Sequence, residues 1–177
     1  MGWLLLLLSC VSLTENLEHL VSPAPPVVIE VITLGEPYQK AKWKDNPTIR
    51  ICKTAEVPTY RVAQAMRYWE GVGYEFDGLR TDPFSTCMHP RIGEILITLP
   101  ESGFGDTHMA STRIYTHPER GDIVKAKIHV LPKNARKDRV IEHEIGHAMG
   151  WSHYRKKFHI MHPSWHLGGY DHSGIRR

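Results

Sequence analysis

The sequence predicts a single α/β domain (an α+β fold) in which a mixed, twisted sheet is backed by helices. Segments with strand and helix patterns follow one another in the order strand, helix, several strands, helix, which is typical of such a domain. The composition agrees, because 41% of the residues are hydrophobic and 23% are charged, as in ordinary globular proteins. A chain of 177 residues is long enough for one well-packed core and too short for two comfortable ones.

The first half of the chain is predicted to hold several strands and one helix. Residues 27–34 form a β-branched run that fits a first or edge strand, and residues 48–53 alternate as a strand. A helix over residues 57–71 has a proline in its first turn, and a short strand at 74–76 follows it. Residues 93–99 form a further clear strand. The helix residues that recur at helical spacing and are expected in the core are Val62, Ala65, Met66 and Trp69.

The second half is predicted to hold a β-hairpin and a long helix. A loop over residues 101–107 precedes two strands, Met109–Thr116 and Ile123–Leu131, which are joined by a turn at residues 118–122. The second strand alternates, which indicates that it is half-buried. Its alternating residues are Ala126, Ile128 and Val130 on one face and Lys127 and His129 on the other. A helix is expected to run from a cap at Asn134 through Met149.

The N-terminal part differs in composition from the domain predicted at residues 48–177. Residues 1–10 contain the apolar run Leu4–Leu8 followed by Cys10, and this pattern resembles the lipobox of a bacterial lipoprotein signal. On this interpretation Cys10 carries a lipid, the protein is extracytoplasmic, either secreted or anchored to a membrane, and residues 11–47 form a tether and an N-terminal segment. A mis-assigned start codon or a buried N-terminal segment is the alternative. The apolar run is too short to span a membrane.

The cysteine count is consistent with export. If Cys10 carries a lipid, Cys52 and Cys87 remain as an even pair. In an oxidising compartment these two residues would form a disulfide that closes a loop of 35 residues, worth about 3 to 4 kcal/mol if loop entropy is the cause. Two unrelated buried thiols are the alternative for a cytosolic protein.

Residues 143–153 read His-Glu-Ile-Gly-His-Ala-Met-Gly-Trp-Ser-His, and their spacing predicts a metal site. His143 and His147 are four residues apart, so on a helix their imidazoles lie one turn apart on the same face and share one ion. Glu144 follows the first ligand and reaches the open coordination position of the ion instead of binding it. The residues of the opposite, apolar helix face are Ile141, Ile145, Ala148 and Met149.

Gly150 is expected to end the helix abruptly, because glycine adopts the left-handed conformation of such a turn at little steric cost. His153 then approaches the ion from outside the helix as the third nitrogen ligand. Three protein ligands leave a fourth position for water, as in catalytic zinc sites, whereas structural zinc is enclosed by four protein ligands.

This segment matches the metzincin signature HExxHxxGxxH at every position, so the chain resembles the metzincin zinc peptidases. Met161 follows His153 at the distance of the metzincin Met-turn. Pro163 stands where astacins and serralysins place a tyrosine ligand, so the chain looks most like matrixins and adamalysins. The resemblance covers roughly residues 48–165. Metzincins usually end with a C-terminal helix, and only a short segment rich in Gly and His follows Met161 here.

The resemblance implies a zinc metalloendopeptidase, expected to be a monomer, that hydrolyses protein or peptide substrates. A zinc ion held by His143, His147 and His153 would activate a water molecule, and Glu144 would act as the general base. A peptide would lie extended along an edge strand, for which residues 109–116 are the candidate.

One catalytic zinc ion is expected rather than two. Matrixins hold a structural zinc with histidines and an aspartate in the region of the predicted hairpin. The spacings of His108, His117 and His129, with Asp106 close by, do not match that site, so these histidines are interpreted as exposed strand residues.

The remaining composition argues against a nucleic-acid partner. The net charge is +3 and the basic residues are dispersed, so the short run at residues 155–157 is interpreted as a solvated turn. Two alternatives to an enzyme are a non-catalytic zinc- or peptide-binding module and a membrane-tethered protein that scavenges metal. Glu144 argues against the binding module, because a binder needs the histidines but not the base.

Overall fold

The computed structural model describes residues 35–82, 87, 89–100 and 108–177. In this part of the chain strands and helices follow one another as the sequence predicts, and the α/β class is confirmed. The strands are β1 (Thr48–Cys52), β2 (Gly78–Asp82), β3 (Glu94–Thr98), β4 (Ala110–Thr116) and β5 (Ile123–Val130). The helices are α1 (Thr59–Gly71), α2 (Pro132–Ala135) and α3 (Val140–Ala148), and a 3-10 turn over Lys53–Ala55 follows β1.

The strands form one mixed sheet in the order β2-β1-β3-β5-β4. β1 pairs in parallel with β2 and with β3, β3 pairs in parallel with β5, and β4 is antiparallel to β5. Among the described strands, β4 therefore lies at an edge of the sheet with one side bonded to β5. Because α3 packs against both β4 and β5, this edge runs beside the helix that carries the histidine motif.

α1 packs against α3 and holds it in place. The α1 residues predicted in the core are buried: Val62, Ala65, Met66 and Trp69. The Trp69 indole Nε1 donates a hydrogen bond to the Glu142 carbonyl oxygen at 2.8 Å, and Arg61 forms a buried ion pair with the Glu142 carboxylate at 3.0 Å. α1 is thus the backing helix that the sequence predicts, and it fixes the first turn of α3.

The other face of the sheet is also covered, which corrects one prediction. Arg50 is buried between two carboxylates, with Nη1 at 2.8 Å from Asp82 and Nε at 3.0 Å from Glu94. On β5, Ala126 faces the core as expected, but Lys127 is also buried, with 4% of its surface exposed. Of the two residues predicted on the second face of β5, Lys127 is therefore buried and His129 is only partly exposed, because β5 lies inside the sheet between β3 and β4.

The short strand predicted at residues 74–76 is wrong, and the strand in this region is β2. Tyr74 turns back onto α1, where its N–H donates to the Trp69 carbonyl oxygen at 3.0 Å and its ring lies edge-on to the Trp69 ring. β2 has mostly exposed or half-buried residues, so it carries no hydrophobic alternation. Its pairing with β1 makes it a strand, and tertiary pairing of this kind is invisible to local patterns.

The single helix predicted over residues 134–149 is also wrong, because the chain forms the short α2 and then α3. Arg139 has a φ of 69°, the left-handed conformation, and this residue separates the two helices. The turn before it is held from outside, since the Trp165 Nε1 donates to the Asp138 carbonyl oxygen at 2.9 Å. Asn134 does not cap a helix, and its side-chain amide donates to the Met109 carbonyl oxygen instead.

The packed domain begins before the predicted boundary at residue 48. The Lys40 N–H donates to the Gly150 carbonyl oxygen at 2.8 Å, and the Ser152 N–H donates to the Tyr38 carbonyl oxygen at 2.9 Å. This part of the predicted tether therefore belongs to the domain and supports the chain directly after α3.

Of the two alternatives for the cysteine pair, the structure has the disulfide between Cys52 and Cys87, whose Cα atoms are 5.7 Å apart. The predicted lipidation at Cys10, the strand at residues 27–34 and the loop at 101–107 lie outside the described residues. Among the helices that the structure describes, none is long and apolar enough to cross a bilayer.

Candidate metal centre

α3 carries two histidines and the glutamate of the motif. The His143 and His147 rings lie one helical turn apart, with centroids separated by 4.6 Å. The residues of the opposite helix face are buried in the core: Ile141, Ile145 and Ala148. The helix thus has one face that anchors it and one face that presents ligands, as its sequence predicts.

The chain leaves α3 through Gly150, which has a φ of 95°. A Cβ atom at this position would also overlap the backbone carbonyl of Ala41, so glycine is required both by conformation and by space. The turn returns His153 to the ligand face of the helix, where its ring centroid is 4.6 Å from that of His147 and 5.4 Å from that of His143.

The three imidazoles have the orientation of metal ligands. Nδ1 of His143 lies 2.7 Å from the Ile160 carbonyl oxygen, and Nδ1 of His147 lies 2.7 Å from the Trp151 carbonyl oxygen. A carbonyl only accepts, so each Nδ1 carries the proton and donates it, which leaves the Nε2 lone pair free. One nitrogen from each of the three rings lies within 4.8 Å of the others.

The distance between two of these nitrogens fits a shared metal ion. Nε2 of His147 and Nε2 of His153 are 3.1 Å apart. Since the His147 proton is on Nδ1, its Nε2 presents a lone pair toward the His153 ring. Histidine ligands about 2 Å from a shared ion have their nitrogens at comparable separations. The donor set therefore fits a metal ion.

Burial keeps the two helix ligands neutral. It lowers the pKa of His143 to about 3, aided by the neighbouring His147, and it lowers the pKa of His147 to about 4. The pKa of the more exposed His153 is also lowered, first by partial burial and then by the charge of Lys40. At neutral pH all three rings therefore have a lone pair for a metal ion, without having to lose a proton first.

Glu144 is buried beside the trio and is held by the edge strand. Its Oε2 accepts a hydrogen bond of 2.6 Å from the Thr112 hydroxyl on β4. Burial raises the pKa of Glu144 to about 7, and the Thr112 hydrogen bond lowers it in part. A carboxyl group with a pKa near neutrality both accepts and returns a proton readily, which is the property of a general acid–base group.

Met161 forms the floor under α3. Its side chain is fully buried and packs against Gly146, where a Cβ atom would overlap the Met161 sulfur and the Trp69 ring. The Met161 backbone is fixed on both sides: its N–H donates to His159 Nδ1 at 3.1 Å, and its carbonyl oxygen accepts from the Tyr154 N–H at 2.9 Å. His143 and His147 therefore lie on either side, along the helix, of a glycine that is closely packed against Met161 and Trp69.

Three contributors to the site were not predicted from the sequence. Thr112 lies far from Glu144 along the chain, and only the position of β4 brings the two together. His159 is one of several unassigned histidines, and its burial with both ring nitrogens in contact with the backbone is a tertiary feature. Gly146 lies inside a helix, where glycine is unfavourable. A glycine at such a position is a signal in the sequence for close packing against the helix.

Two cavities flank the trio along β4. The first has a volume of about 270 Å³ and is lined by residues of α3, by the start of β4 and by the segment after Met161, including His162 and Trp165. The second has a volume of about 330 Å³ and lies beside His147 and the middle of β4. The cleft thus extends in both directions from the histidines, beside the edge strand.

The other histidines form no comparable group in the described residues. There, the one set of three or more potential ligands close enough to share an ion is His143, His147 and His153. His117 instead accepts hydrogen bonds on Nδ1 from the backbone N–H groups of Glu119 and Arg120. Asp106 lies outside the described residues.

Neither a scan against protein-family models nor a search of curated proteins found a match to this chain. The function is therefore inferred from the geometry of the site and from the sequence motif.

Proposed function

We propose that the chain is a zinc-dependent endopeptidase of the metzincin type. The observation that carries the proposal is the combination of three convergent imidazoles with a buried carboxyl group that is not needed as a ligand. His143, His147 and His153 supply three nitrogens, and Glu144 lies beside them with a pKa raised to about 7. The metzincin signature and Met161 under the helix support the family assignment.

Zinc is the proposed ion because three neutral imidazoles with an open fourth position are the ligand set of catalytic zinc sites. When bound, a zinc ion supplies Lewis acidity: it lowers the pKa of a water molecule toward about 7 and polarises a carbonyl oxygen. The Ile160 and Trp151 carbonyls keep the His143 and His147 rings in the required tautomer.

Glu144 is the proposed general base and acid. Its carboxylate accepts the proton of the attacking water as the oxygen bonds to the scissile carbonyl carbon. The same carboxyl group then delivers this proton to the amide nitrogen as the C–N bond breaks. The Thr112 hydroxyl donates to Oε2. In this proposal the second carboxylate oxygen accepts the proton of the reacting water.

The proposed substrate is an extended peptide that pairs with the outer edge of β4. Addition of a strand satisfies the free backbone groups of an edge, and antiparallel pairing is the more stable arrangement. β4 runs from Ala110 to Thr116, so an antiparallel peptide has its N-terminal half near Thr116 and its C-terminal half near Ala110. The residue that follows the scissile bond then enters the first cavity, and the residue that precedes it enters the second.

An extracytoplasmic location is part of the proposal. The Cys52–Cys87 disulfide supports it, because stable disulfides are typical of oxidising compartments. Lipid attachment at Cys10 would anchor the enzyme to a membrane, and mass spectrometry of the mature protein from its native host is the test.

The second candidate is a zinc- or peptide-binding module without turnover. It uses the same three histidines, but it gives no reason to retain a buried carboxyl group beside them, whose ionised form is costly to bury.

Cleavage of an unfolded protein such as reduced casein separates the two candidates. The purified chain should cleave it, lose cleavage with a chelator and recover it with one equivalent of zinc. His147→Ala should cleave nothing under any condition. Zinc binding without cleavage would favour the binding module, and cleavage that persists in the chelator would contradict a metal mechanism.

A further inference from the structure

The first cavity beside the histidines has a cation in its wall. Arg139, the residue directly before α3, lines this cavity together with His143 and Glu144. The remaining lining residues are apolar, glycine or histidine, so Glu144 is the sole carboxylate among the described lining residues. Since Glu144 is assigned to the reacting water, the cavity offers a positive charge and no competing negative one.

Arg139 packs against Trp165 in this position. Its guanidinium carbon lies 5.2 Å from the centre of the Trp165 ring, a cation–π contact, and its Nη1 lies close to Gly168, where an added Cβ atom would be 3.2 Å from it. Trp165 is itself fixed by its hydrogen bond to the Asp138 carbonyl oxygen. A guanidinium that is already ordered loses little entropy when it pairs with a ligand.

The backbone at Arg139 determines where its side chain lies. Arg139 has a φ of 69°, in the left-handed region that glycine adopts more easily. The conformation separates α2 from α3 and places the side chain in the wall of the cavity.

The charge of Arg139 has no carboxylate partner among the described residues. Two other arginines of the domain differ in this respect: Arg50 contacts Asp82 and Glu94, and Arg61 contacts Glu142. Those two are buried and structural. Arg139 is half-buried beside the proposed reaction site, with a planar set of donors that matches a carboxylate.

We propose that Arg139 makes the enzyme selective for an acidic side chain, Glu or Asp, on the residue that follows the scissile bond. This inference rests on the proposed function and on antiparallel pairing with β4, which directs that residue into the cavity. The substrate carboxylate forms charge-assisted hydrogen bonds with the guanidinium. A lysine or arginine in the same place meets the like charge of Arg139 and is disfavoured.

The first test compares cleavage of two peptides that differ only in Glu or Gln after the scissile bond. The wild type should cleave the Glu peptide with a kcat/KM about tenfold higher, the size expected for one charge-assisted pair that is partly exposed. In Arg139→Gln this ratio should fall to about one, and in Arg139→Glu a Lys peptide should become better than a Glu peptide.

Lys137→Gln is the matched control. The Lys137 ammonium also lies over the Trp165 ring, at 5.8 Å, but this residue does not line the cavity. Its removal changes the net charge by the same amount, so the Glu-to-Gln ratio should stay about tenfold. A ratio that falls equally in both variants would show a general charge effect and would overturn the assignment of Arg139.

The second test measures binding without turnover. Two peptide hydroxamates that differ only in a Glu or Gln side chain on the residue after the zinc-binding group are titrated calorimetrically into zinc-loaded protein. The wild type and Lys137→Gln should each bind the Glu compound about tenfold more tightly than the Gln compound. Arg139→Gln should bind the two compounds equally. Zinc content and thermal unfolding establish that each variant is folded and loaded.

The two tests separate the possible failures. Hydroxamate selectivity without any peptide cleavage would overturn the proposed turnover and support the role of Arg139 in binding. Cleavage or binding without a Glu preference would overturn the role of Arg139 and leave the peptidase intact. If the zinc-loaded wild type neither cleaves nor binds, both proposals are wrong.

Discussion

α3 and the segment that follows it, residues 149–163, contribute to the same centre in different ways. α3 provides His143, Glu144 and His147 through helix geometry alone, because residues four apart share a face. The following segment has no helix or strand of its own. It provides His153 and the floor residue Met161 through one glycine turn and a set of backbone hydrogen bonds from distant parts of the chain. The helix half of the site is thus a local property, and the other half depends on the tertiary fold.

Removal of one histidine from either region should have the largest effect on zinc affinity. His147→Ala removes a helix ligand and His153→Ala removes a segment ligand. Each should reduce zinc affinity by more than about 100-fold, which exceeds the effect of losing a residue that only hydrogen-bonds to a ligand. His166→Ala is the control, because this exposed histidine lines the adjacent cavity outside the trio. Competition with a chromophoric chelator measures the affinities. Unchanged affinity in His153→Ala would mean that the segment contributes no ligand.

Gly150→Ala tests whether the turn couples the two regions. The substitution places a Cβ atom against the Ala41 carbonyl at a φ of 95°, so it should lower the free energy of unfolding by about 3 kcal/mol or more. It should also weaken zinc binding, because His153 follows the turn.

Gly121→Ala provides the matched control for this variant. Gly121 has a φ of 75° but open space around its Cα, so it isolates the cost of backbone conformation. Denaturant unfolding should show a loss of about 1–2 kcal/mol for this variant, with zinc affinity unchanged. If Gly150→Ala and Gly121→Ala lost the same free energy of unfolding, the close approach of the Ala41 carbonyl would not contribute to the effect of Gly150→Ala.

The buried carboxyl group of Glu144 should make the stability of the metal-free protein depend on pH. Burial raises the pKa of Glu144 to about 7, so the folded state holds this proton more tightly than the unfolded chain does. Ionisation therefore destabilises the folded state progressively as the pH rises from about 4.5 through about 7. Glu144→Gln removes this cost and should be more stable than the wild type at pH 8 by up to about 3 kcal/mol.

Urea unfolding of both proteins in chelator, from pH 4.5 to pH 8, measures the difference. The advantage of Glu144→Gln should disappear near pH 4.5, and the contributions of the histidines cancel because both proteins contain them. A difference that stays constant with pH would mean that Glu144 does not titrate as its burial implies.

His159→Leu should have the smallest effect and tests the tertiary half of the site. The variant leaves the Met161 N–H and the Ser173 carbonyl oxygen without their partners, which should cost about 1–3 kcal/mol in the free energy of unfolding. Zinc affinity should fall by less than in the ligand variants, because all three ligands remain. Loss of zinc equal to that of His153→Ala would instead indicate that His159 is a ligand.

The difference between local helix geometry and long-range contacts also explains which features the sequence predicts and which it does not. His143, His147, Gly150 and His153 could be assigned because their roles follow from spacing and from the conformational freedom of glycine. The α/β class and the core face of α1 follow from periodicity in the same way.

The features that were missed depend on contacts between distant segments. β2 is a strand because β1 lies beside it, and the break in the predicted long helix at Arg139 depends on outside contacts to the preceding turn. Thr112 hydrogen-bonds to Glu144, and the segment at Tyr38–Lys40 hydrogen-bonds to the chain after α3, both from far along the chain. None of these features leaves a local pattern, so the three-dimensional structure is needed to find them.

The most direct test of the central claim compares the wild type with Glu144→Gln at equal zinc content. Each protein is reconstituted with zinc, metal analysis confirms one ion per chain, and cleavage of the same peptide is followed. Glu144→Gln should keep its zinc and lose cleavage by about 100-fold or more, the scale of general acid–base catalysis. Equal cleavage by both proteins at equal zinc content would contradict the central claim.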